Sequence, residues 1–145
     1  MVATPRSLRE RRVLVDTSAY LALLDDADQH HREAAAIINR LAEQHLRPYT
    51  TNAVLFESHA LIMSVLGIRA AWEFLQETEA SSTVVIRVRA SDEARAKQII
   101  ARYDDKDFSY TDALSFAVME RLRIPQAFAF DRHFGQYGWQ VLQAE

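Results

Sequence analysis

Short runs of branched apolar residues alternate along the chain with longer segments whose apolar residues recur at helical spacing. The strand-like runs lie at residues 13–15, 82–88, 127–130 and 139–142, with a turn or short strand at 47–49. The helical segments lie at residues 18–24, 29–44, 53–66, 70–79, 91–102 and 113–123. Strands that alternate with helices favour a mostly parallel sheet covered by helices on both faces, so the pattern predicts an α/β fold.

Composition narrows the class of protein. The 145 residues suffice for one domain of ordinary size. The sequence contains no cysteine, which excludes disulfide bonds and thiolate zinc sites and is compatible with the cytoplasmic location that we expect. The net charge of -3 argues neither for nor against nucleic acid, although only Lys97 and Lys106 among the 17 basic residues are lysines. Arginine is the better bidentate partner for phosphate.

Residues 1–12 are rich in arginine and are predicted to form a basic N-terminal arm, with the domain at residues 13–145. Arginines before an apolar stretch resemble the start of a signal peptide, but Asp16 interrupts that stretch after Val15. No apolar run reaches the roughly 18 to 20 residues that a membrane span needs. We therefore expect no membrane association, and the arm is either an interaction segment or a solvated tail.

Asp16 stands where the first predicted strand becomes the first predicted helix. Ligands of parallel α/β sheets bind outside the carboxyl ends of the strands, so a carboxylate at this point indicates a functional site. Aspartate is also a preferred N-cap of helices. Thr17 and Ser18 could cap the same helix and leave Asp16 free, so the sequence leaves both roles open.

Glu57 is the only charged residue between Arg47 and Arg69. The helix at 53–66 is apolar on nearly every side, which predicts that it is buried almost all round. A buried carboxylate is costly unless it is paired, protonated or bound to a cation. Alternatively, Glu57 reaches water through a gap in the surface.

Two further aspartates occupy comparable positions. Asp112 precedes the helical segment that begins at residue 113, where Ser109 and Asp112 have the spacing of a capping box. Asp131 follows the strand at 127–130, as Asp16 follows the first strand. Because the carboxyl ends of parallel strands share one edge of the sheet, we expect all four acids to meet there.

Four carboxylates in one pocket repel each other. Two unit charges about 4 Å apart repel by roughly 4 kcal/mol at an effective dielectric constant of 20. The acids therefore cannot all stay ionised near neutral pH without a cation. Oxygen ligands in a chain without cysteine suit Mg²⁺ or Mn²⁺ rather than zinc, so the pattern predicts a divalent metal site.

The sequence around these acids resembles that of PIN-domain ribonucleases, most closely the VapC toxins of bacterial toxin–antitoxin pairs. The matching blocks are, in chain order, V-L-V-D-T-S-A-Y, T-N-A-V-L-F-E, F-S-Y-T-D-A-L-S-F-A and A-F-A-F-D-R-H-F. Each block is weak alone, but the four together in this order are specific. The resemblance covers nearly the whole chain and implies a three-layer PIN-like fold and an endonuclease that cuts RNA and leaves a 5′-phosphate.

The resemblance also implies which residues form the site. The catalytic acids, and the ligands of one or two Mg²⁺ or Mn²⁺ ions, would be Asp16, Glu57, Asp112 and Asp131. The polar residues that support these acids would be Thr17, Asn52, Ser109 and Thr111. Either Asp112 or Glu57 would orient or deprotonate the attacking water, and the sequence does not choose between them.

Three partners follow from the resemblance: an RNA substrate, a VapB-like antitoxin whose C-terminal segment lies across the active site, and a second copy of the chain. The apolar helix that contains Leu55, Phe56 and Met63 offers a surface for the second copy, unless it is ordinary core.

Basic and aromatic side chains near the acids are candidates for RNA contact. The basic candidates, which are otherwise scattered surface charges, are Arg87, Arg89, Arg95, Arg102 and Lys106. Tyr20, Tyr110 and Phe134 could stack on a base, although core packing explains Phe134 better.

Two other functions stay open at this point. One is a PIN nuclease of RNA processing that is not a toxin. The other is a non-enzymatic signalling module that accepts a phosphoryl group, which would need an acidic pair at the end of the first strand and a lysine after the last core strand. Neither Lys97 nor Lys106 has that position.

Overall fold

The structure, a computed structural model, describes residues 7–144 and contains one five-stranded sheet. The elements in chain order are β1 (Arg12–Val15), α1 (Thr17–Leu24), α2 (His31–Glu43), β2 (Arg47–Thr51), α3 (Asn52–Leu66), α4 (Ile68–Ala80), β3 (Val84–Ile86), α5 (Ala90–Arg102), α6 (Tyr110–Leu122), β4 (Gln126–Phe128), α7 (His133–Tyr137) and β5 (Gln140–Val141). The strand order is β3-β2-β1-β4-β5, and every pairing is parallel. The predicted α/β fold with a parallel sheet is confirmed.

The central strand β1 has core on both faces. Val13 and Val15 pack against α1 and α2, whereas Leu14 packs against α5 and α6. Successive side chains of a strand point to opposite faces, so a strand between two helical layers must be apolar at every position. This explains the uninterrupted run Val13-Leu14-Val15 and establishes the three layers.

Helix α6 is the most deeply buried helix among the described residues. Every residue from Asp112 to Met119 is buried. Phe116 stacks on Tyr137 and meets the edge of Phe134, which is itself 0% exposed. The assignment of Phe134 to the core is therefore confirmed.

Helix α3 contradicts the expectation that it is buried almost all round. Its buried stripe is Val54, Ser58 and Ile62. These residues are four positions apart and so lie on one side of the helix. On other sides Phe56 is 67% exposed and Met63 is 43% exposed. The expectation was wrong because an apolar pattern does not reveal on how many sides a helix finds partners.

The predicted N-terminal arm lies only partly within the described residues, because residues 1–6 are outside them. Of the remainder, Arg12 opens β1 and donates from Nη1 to the Leu122 carbonyl at 2.8 Å. The Glu10 carbonyl accepts a hydrogen bond from Gln126 Nε2 at 3.1 Å.

In the part of the chain from residue 7 to residue 144, no helix is long and apolar enough to cross a membrane.

Candidate active site

The loops after β1 and β4 meet at the carboxyl edge of the sheet. These strands are parallel neighbours, and the Asp16 N–H donates to the Phe128 carbonyl at 3.0 Å. The Phe130 N–H in turn donates to Ser18 Oγ at 2.9 Å. The two loops are thus tied together, which brings Asp16 and Asp131 to one pocket.

Asp16 is held at one carboxylate oxygen and has no partner at the other. It is 2% exposed and caps α1, where Oδ2 accepts from Ser18 N–H at 3.2 Å and from Ser18 Oγ at 2.8 Å. The idea that Thr17 or Ser18 caps α1 instead was wrong, since Thr17 Oγ1 accepts a hydrogen bond from Ser58 Oγ. Asp16 Oδ1 is buried without a hydrogen-bond partner. Asp16 therefore fills the cap position and still has an oxygen for a ligand.

Asp112 likewise combines a capping position with a place in the acidic cluster. The Ser109 N–H donates to Asp112 Oδ2 at 3.0 Å, and the Asp112 N–H donates to Ser109 Oγ at 3.0 Å. The predicted capping box is confirmed. Asp112 is 6% exposed, and its charge acts on Asp16 while that of Asp131 acts on it. The two roles of Asp112 are compatible.

His133 joins the aspartates and is the residue that sequence reasoning missed. Its Nδ1 lies 2.7 Å from Asp112 Oδ2 and 3.9 Å from Asp131 Oδ1, and its Nε2 lies 3.1 Å from Asp107 Oδ1. Its backbone N–H donates to Asp131 Oδ1 at 3.0 Å. The only signal in the sequence was its place in the block A-F-A-F-D-R-H-F, two residues after Asp131.

Glu57 lines the same pocket from α3. The pocket has a volume of about 350 Å³ and is lined by Asp16, Glu57 and Asp131 among others; we call it the acid pocket. The expectation that Glu57 is a buried carboxylate was wrong, because its side chain is exposed. Glu57 precedes Ser58, which belongs to the buried stripe of α3, and so it lies at the solvent side of that helix.

Burial and mutual repulsion disfavour the ionised acids. Burial raises the pKa of Asp16 to about 8, and the charges of Asp131 and Asp112 add to this against the hydrogen bonds from Ser18. Burial likewise raises the pKa of Asp112, with a further contribution from the charge of Asp131. A divalent cation would reverse both effects, because it favours the ionised carboxylates.

The residues present fit such a cation. Asp112, Asp131 and His133 each offer one ligand atom, and these atoms lie within 4.8 Å of one another. The buried Oδ1 of Asp16 needs a partner, and carboxylate oxygens are the ligands that Mg²⁺ and Mn²⁺ prefer. The donor set supports a hard divalent cation.

The other two predicted polar residues lie in the first turns of α3 and α6. Asn52 Oδ1 accepts from the Val88 N–H at 3.0 Å, so it joins the start of α3 to the segment after β3. Thr111 is half-buried in the first turn of α6, next to Asp112.

The basic candidate Arg95 pairs with Glu120, whereas Arg87 and Arg89 are exposed.

Comparison with known proteins gives one family. Residues 13–140 match the PIN domain family. The chain is 32% identical over 133 residues to the "23S rRNA-specific endonuclease VapC20" of Mycobacterium tuberculosis, which covers 92% of this chain and 99% of that protein. It is 27% identical over 124 residues to "Ribonuclease VapC26" of the same organism, covering 84% of this chain and 89% of the relative.

The chain is also similar in structure to solved proteins. The crystal structure of Mycobacterium tuberculosis VapC20, described as a sarcin-ricin loop cleaving toxin, superposes with a TM-score of 0.84 at 31% identity and covers 90% of this chain and 98% of that one. The DNA-bound VapBC complex of Salmonella typhimurium shares the fold, with a TM-score of 0.66 at 15% identity over 90% of this chain and 96% of that one. The three-layer architecture, the sequence match and the cluster of acids at the sheet edge agree: this chain belongs to the PIN domain family.

Proposed function

We propose that this protein is the toxin of a type II toxin–antitoxin pair and cuts RNA as a Mg²⁺- or Mn²⁺-dependent endonuclease. The observation that carries the proposal is the gathering of Asp16, Asp112 and Asp131 at one sheet edge, with Glu57 among the residues that line the acid pocket. The similarity of the chain to the two ribonucleases named above supports RNA as the substrate.

The acids have distinct roles in this proposal. Asp16, Asp112 and Asp131 hold the cation, Asp16 through its free oxygen Oδ1. When bound, the cation supplies a nucleophile from water and neutralises charge on the scissile phosphate. Glu57, on the solvent side, orients the attacking water. The bond between phosphorus and the 3′-oxygen breaks, which leaves a 5′-phosphate and a 3′-hydroxyl.

The phosphates of RNA are repelled by the acids of the pocket, so basic side chains must offset this repulsion along the path of the RNA. Arg87 and Arg89 follow β3 at the same carboxyl edge of the sheet as the acids, and both are exposed. We assign them to the RNA backbone, whose affinity for such contacts falls steeply with salt. Because the relative VapC20 is named for 23S rRNA, that RNA is the first substrate to test.

Two protein partners belong to the proposal. A VapB-like antitoxin would cover the acid pocket and keep the toxin inactive. A second copy of the chain would bind the exposed apolar side of α3 and α4. We call this surface the α3–α4 face; it consists of Phe56 and Met63 on one side of α3 and of Ile68 and Trp72 in α4.

The decisive experiment compares wild type with Asp16→Asn during expression in a bacterial host. Wild type should arrest growth and create new RNA 5′ ends, and Asp16→Asn should do neither. The matched control is Asp104→Asn, a change of the same kind at an exposed loop position. Purified wild type should cut 23S rRNA with Mg²⁺ or Mn²⁺ and stop when a chelator is added. Toxicity that survives Asp16→Asn would refute the chemistry, and cleavage without growth arrest would favour a nuclease of RNA processing.

A further inference from the structure

A second cleft borders the acid pocket. Its volume is about 510 Å³, and it lies between the start of α2, the segment that joins β4 to α7, and β5. His30, Phe130 and Asp131 line both hollows. A strand of RNA with a phosphate at the acids would therefore have its neighbouring nucleotide beside this cleft.

A pair of stacked rings belongs to the wall that the cleft shares with the acid pocket. The His30 and Phe130 rings are 4.6 Å apart between centroids and nearly parallel, with an interplanar angle of 6°. The His30 N–H donates to Asp28 Oδ1 at 2.8 Å, and the Phe130 N–H donates to Ser18 Oγ. Ser18 also holds Asp16. The Phe130 backbone is thus tied through Ser18 to Asp16, and the His30 ring stacks on the Phe130 ring.

The opposite side of the cleft has room for a flat ligand. Gly135 lines it, and a Cβ atom built at Gly135 would meet nothing within 4 Å. Glu33 and Arg132 also line the cleft, and Arg132 pairs through Nη2 with Asp107. A carboxylate acceptor and further guanidinium donors suit the polar edges of a base. Aromatic rings that flank a nucleic-acid path commonly serve as stacking platforms, since every base has a π face.

The cleft differs from the surface that we assign to the second copy of the chain. The large apolar side chains that are exposed among residues 7–144 include the whole α3–α4 face, and none of them lines this cleft. A cleft with mixed polar and aromatic walls favours a nucleotide over an apolar peptide segment.

We propose that the His30–Phe130 pair is a nucleobase subsite, which binds the base next to the scissile phosphate and contributes to the choice of cleavage position. The proposal rests on the proposed ribonuclease function. It predicts that the enzyme needs a base, and not only a sugar and a phosphate, at one position beside the cut.

The experiment uses synthetic RNAs that carry the mapped cleavage site, each with one abasic residue at a different position. Wild type should lose about tenfold in kcat/KM when one particular base next to the cut is removed, as expected for loss of one stacked base. His30→Ala should lose about as much on the intact RNA and nothing more on that abasic RNA. His30→Phe should retain cleavage, and neither change removes a capping hydrogen bond, because the His30 side chain makes none.

A second variant tests the room in the cleft. Gly135→Leu should fill it and reproduce the His30→Ala pattern, whereas Gln136→Leu, an exposed position of the same helix outside the cleft, should behave as wild type. Stabilisation by Mn²⁺ in thermal melts should be unchanged in all four variants, which separates loss of a base from loss of the metal.

The outcomes distinguish the subsite from the activity itself. Wild type that cuts no RNA with Mg²⁺ or Mn²⁺ overturns both proposals. Wild type that cuts every abasic RNA as well as the intact one overturns the subsite alone. The subsite proposal is also overturned if the His30→Ala or Gly135→Leu variant cuts RNA normally but is no longer inhibited by the antitoxin. The cleft would then bind protein rather than a base.

Discussion

Asp16 is stable in a buried position only because of what surrounds it. Its Oδ2 uses Ser18 as a local hydrogen-bond partner, and its Oδ1 has none among the described residues. Such an unsatisfied buried oxygen is uncommon in native proteins, and it is expected where an ion binds. The unpaired Oδ1 of Asp16 therefore destabilises the metal-free protein and is available as a ligand for a metal ion.

This cost should appear as a dependence of stability on pH. Burial, then the charge of Asp131, raises the pKa of Asp16 to about 8 from 3.8 in the unfolded chain. Between these values the folded protein keeps a proton that the unfolded chain has released. The contribution is fully present below pH 3.8 and is lost as pH rises through about 8, so the free energy of unfolding should fall by up to about 1.4 kcal/mol per pH unit.

Urea unfolding in the presence of chelator at about pH 5 and at about pH 8 measures this slope. Asp16→Asn should flatten it, and Asp104→Asn should keep it. Added Mn²⁺ should stabilise the wild type most at the higher pH, because the ligand binds the ionised native state. A metal-free wild type that gains stability over this range would contradict the raised pKa.

His133 is expected to position Asp112 in the ribonuclease proposed above. His133→Ala removes the contact between Nδ1 and Asp112 Oδ2, at a cost of about 1 to 3 kcal/mol in stability. Loss of a group that orients a ligand typically costs 10- to 100-fold in activity or metal affinity, so kcat should fall by about that factor. Asp107→Asn, which leaves the contact with Asp112 in place, should cost far less. Equal losses in the two variants would show that His133 acts only on the loop of Asp107.

The strand-end and capping aspartates and the local partner Ser109 could be predicted from the sequence, whereas contacts between distant segments could not. Asp16 and Asp131 follow apolar strands, and the capping box at Ser109 is a local pattern, so all three are visible in the chain. His133 is not, because its contacts with Asp107 and Asp112 connect three segments that only the tertiary fold brings together. Asn52 had a plausible position in its block, yet its side chain binds the Val88 N–H.

At the scale of elements, the pattern predicted the strands and most helices because their apolar residues report burial. The class of fold follows from strands that alternate with helices. The apolar pattern did not predict the burial of α3 correctly. The same apolar residues can make a long helix either part of the core or an interaction surface. The short strand at β2 was left open because Pro48 lies within it, and it is accommodated in the parallel pairing with Val13.

Helices α5 and α6 provide a direct comparison of buried and exposed ion pairs. Arg121 binds Asp92 through Nε at 2.9 Å and Nη2 at 2.8 Å, and the Asp92 side chain is 3% exposed. Removal of the partner of a buried charge typically costs about 3 to 5 kcal/mol, so Arg121→Ala should be strongly destabilising. Chemical unfolding measures the loss.

The control lies between the same two helices. Arg95 pairs with Glu120 at 3.2 Å, and their side chains are 42% and 36% exposed. Arg95→Ala should cost below about 1 kcal/mol, as exposed pairs do. If both variants lost the same stability, burial of Asp92 would not be what makes its pair matter.

For the whole molecule, α3 connects the proposed chemistry to the proposed assembly. Glu57 lines the acid pocket, and its neighbour Phe56 belongs to the α3–α4 face. A second copy bound to that face would therefore lie close to the path by which RNA and antitoxin reach the pocket. Assembly and access to the acids are expected to depend on each other.

The α3–α4 face exposes large apolar side chains to solvent. Ile68 is 76% exposed and Trp72 is 58% exposed, beside Phe56 at 67%. Exposed apolar surface beyond what a monomer usually shows marks an interaction site, so we expect wild type to be a homodimer at micromolar concentration. Trp72→Glu places a charge within this face and should give a monomer, with a change in stability within about 0.5 kcal/mol because the side chain is exposed. Sedimentation or light scattering after gel filtration measures the mass, and Leu8→Glu, at a residue 79% exposed outside the face, should leave the dimer intact. A wild-type monomer would refute the homodimer, and a Trp72→Glu dimer would place its interface elsewhere. Either result would leave the apolar surface of α3 and α4 for the antitoxin.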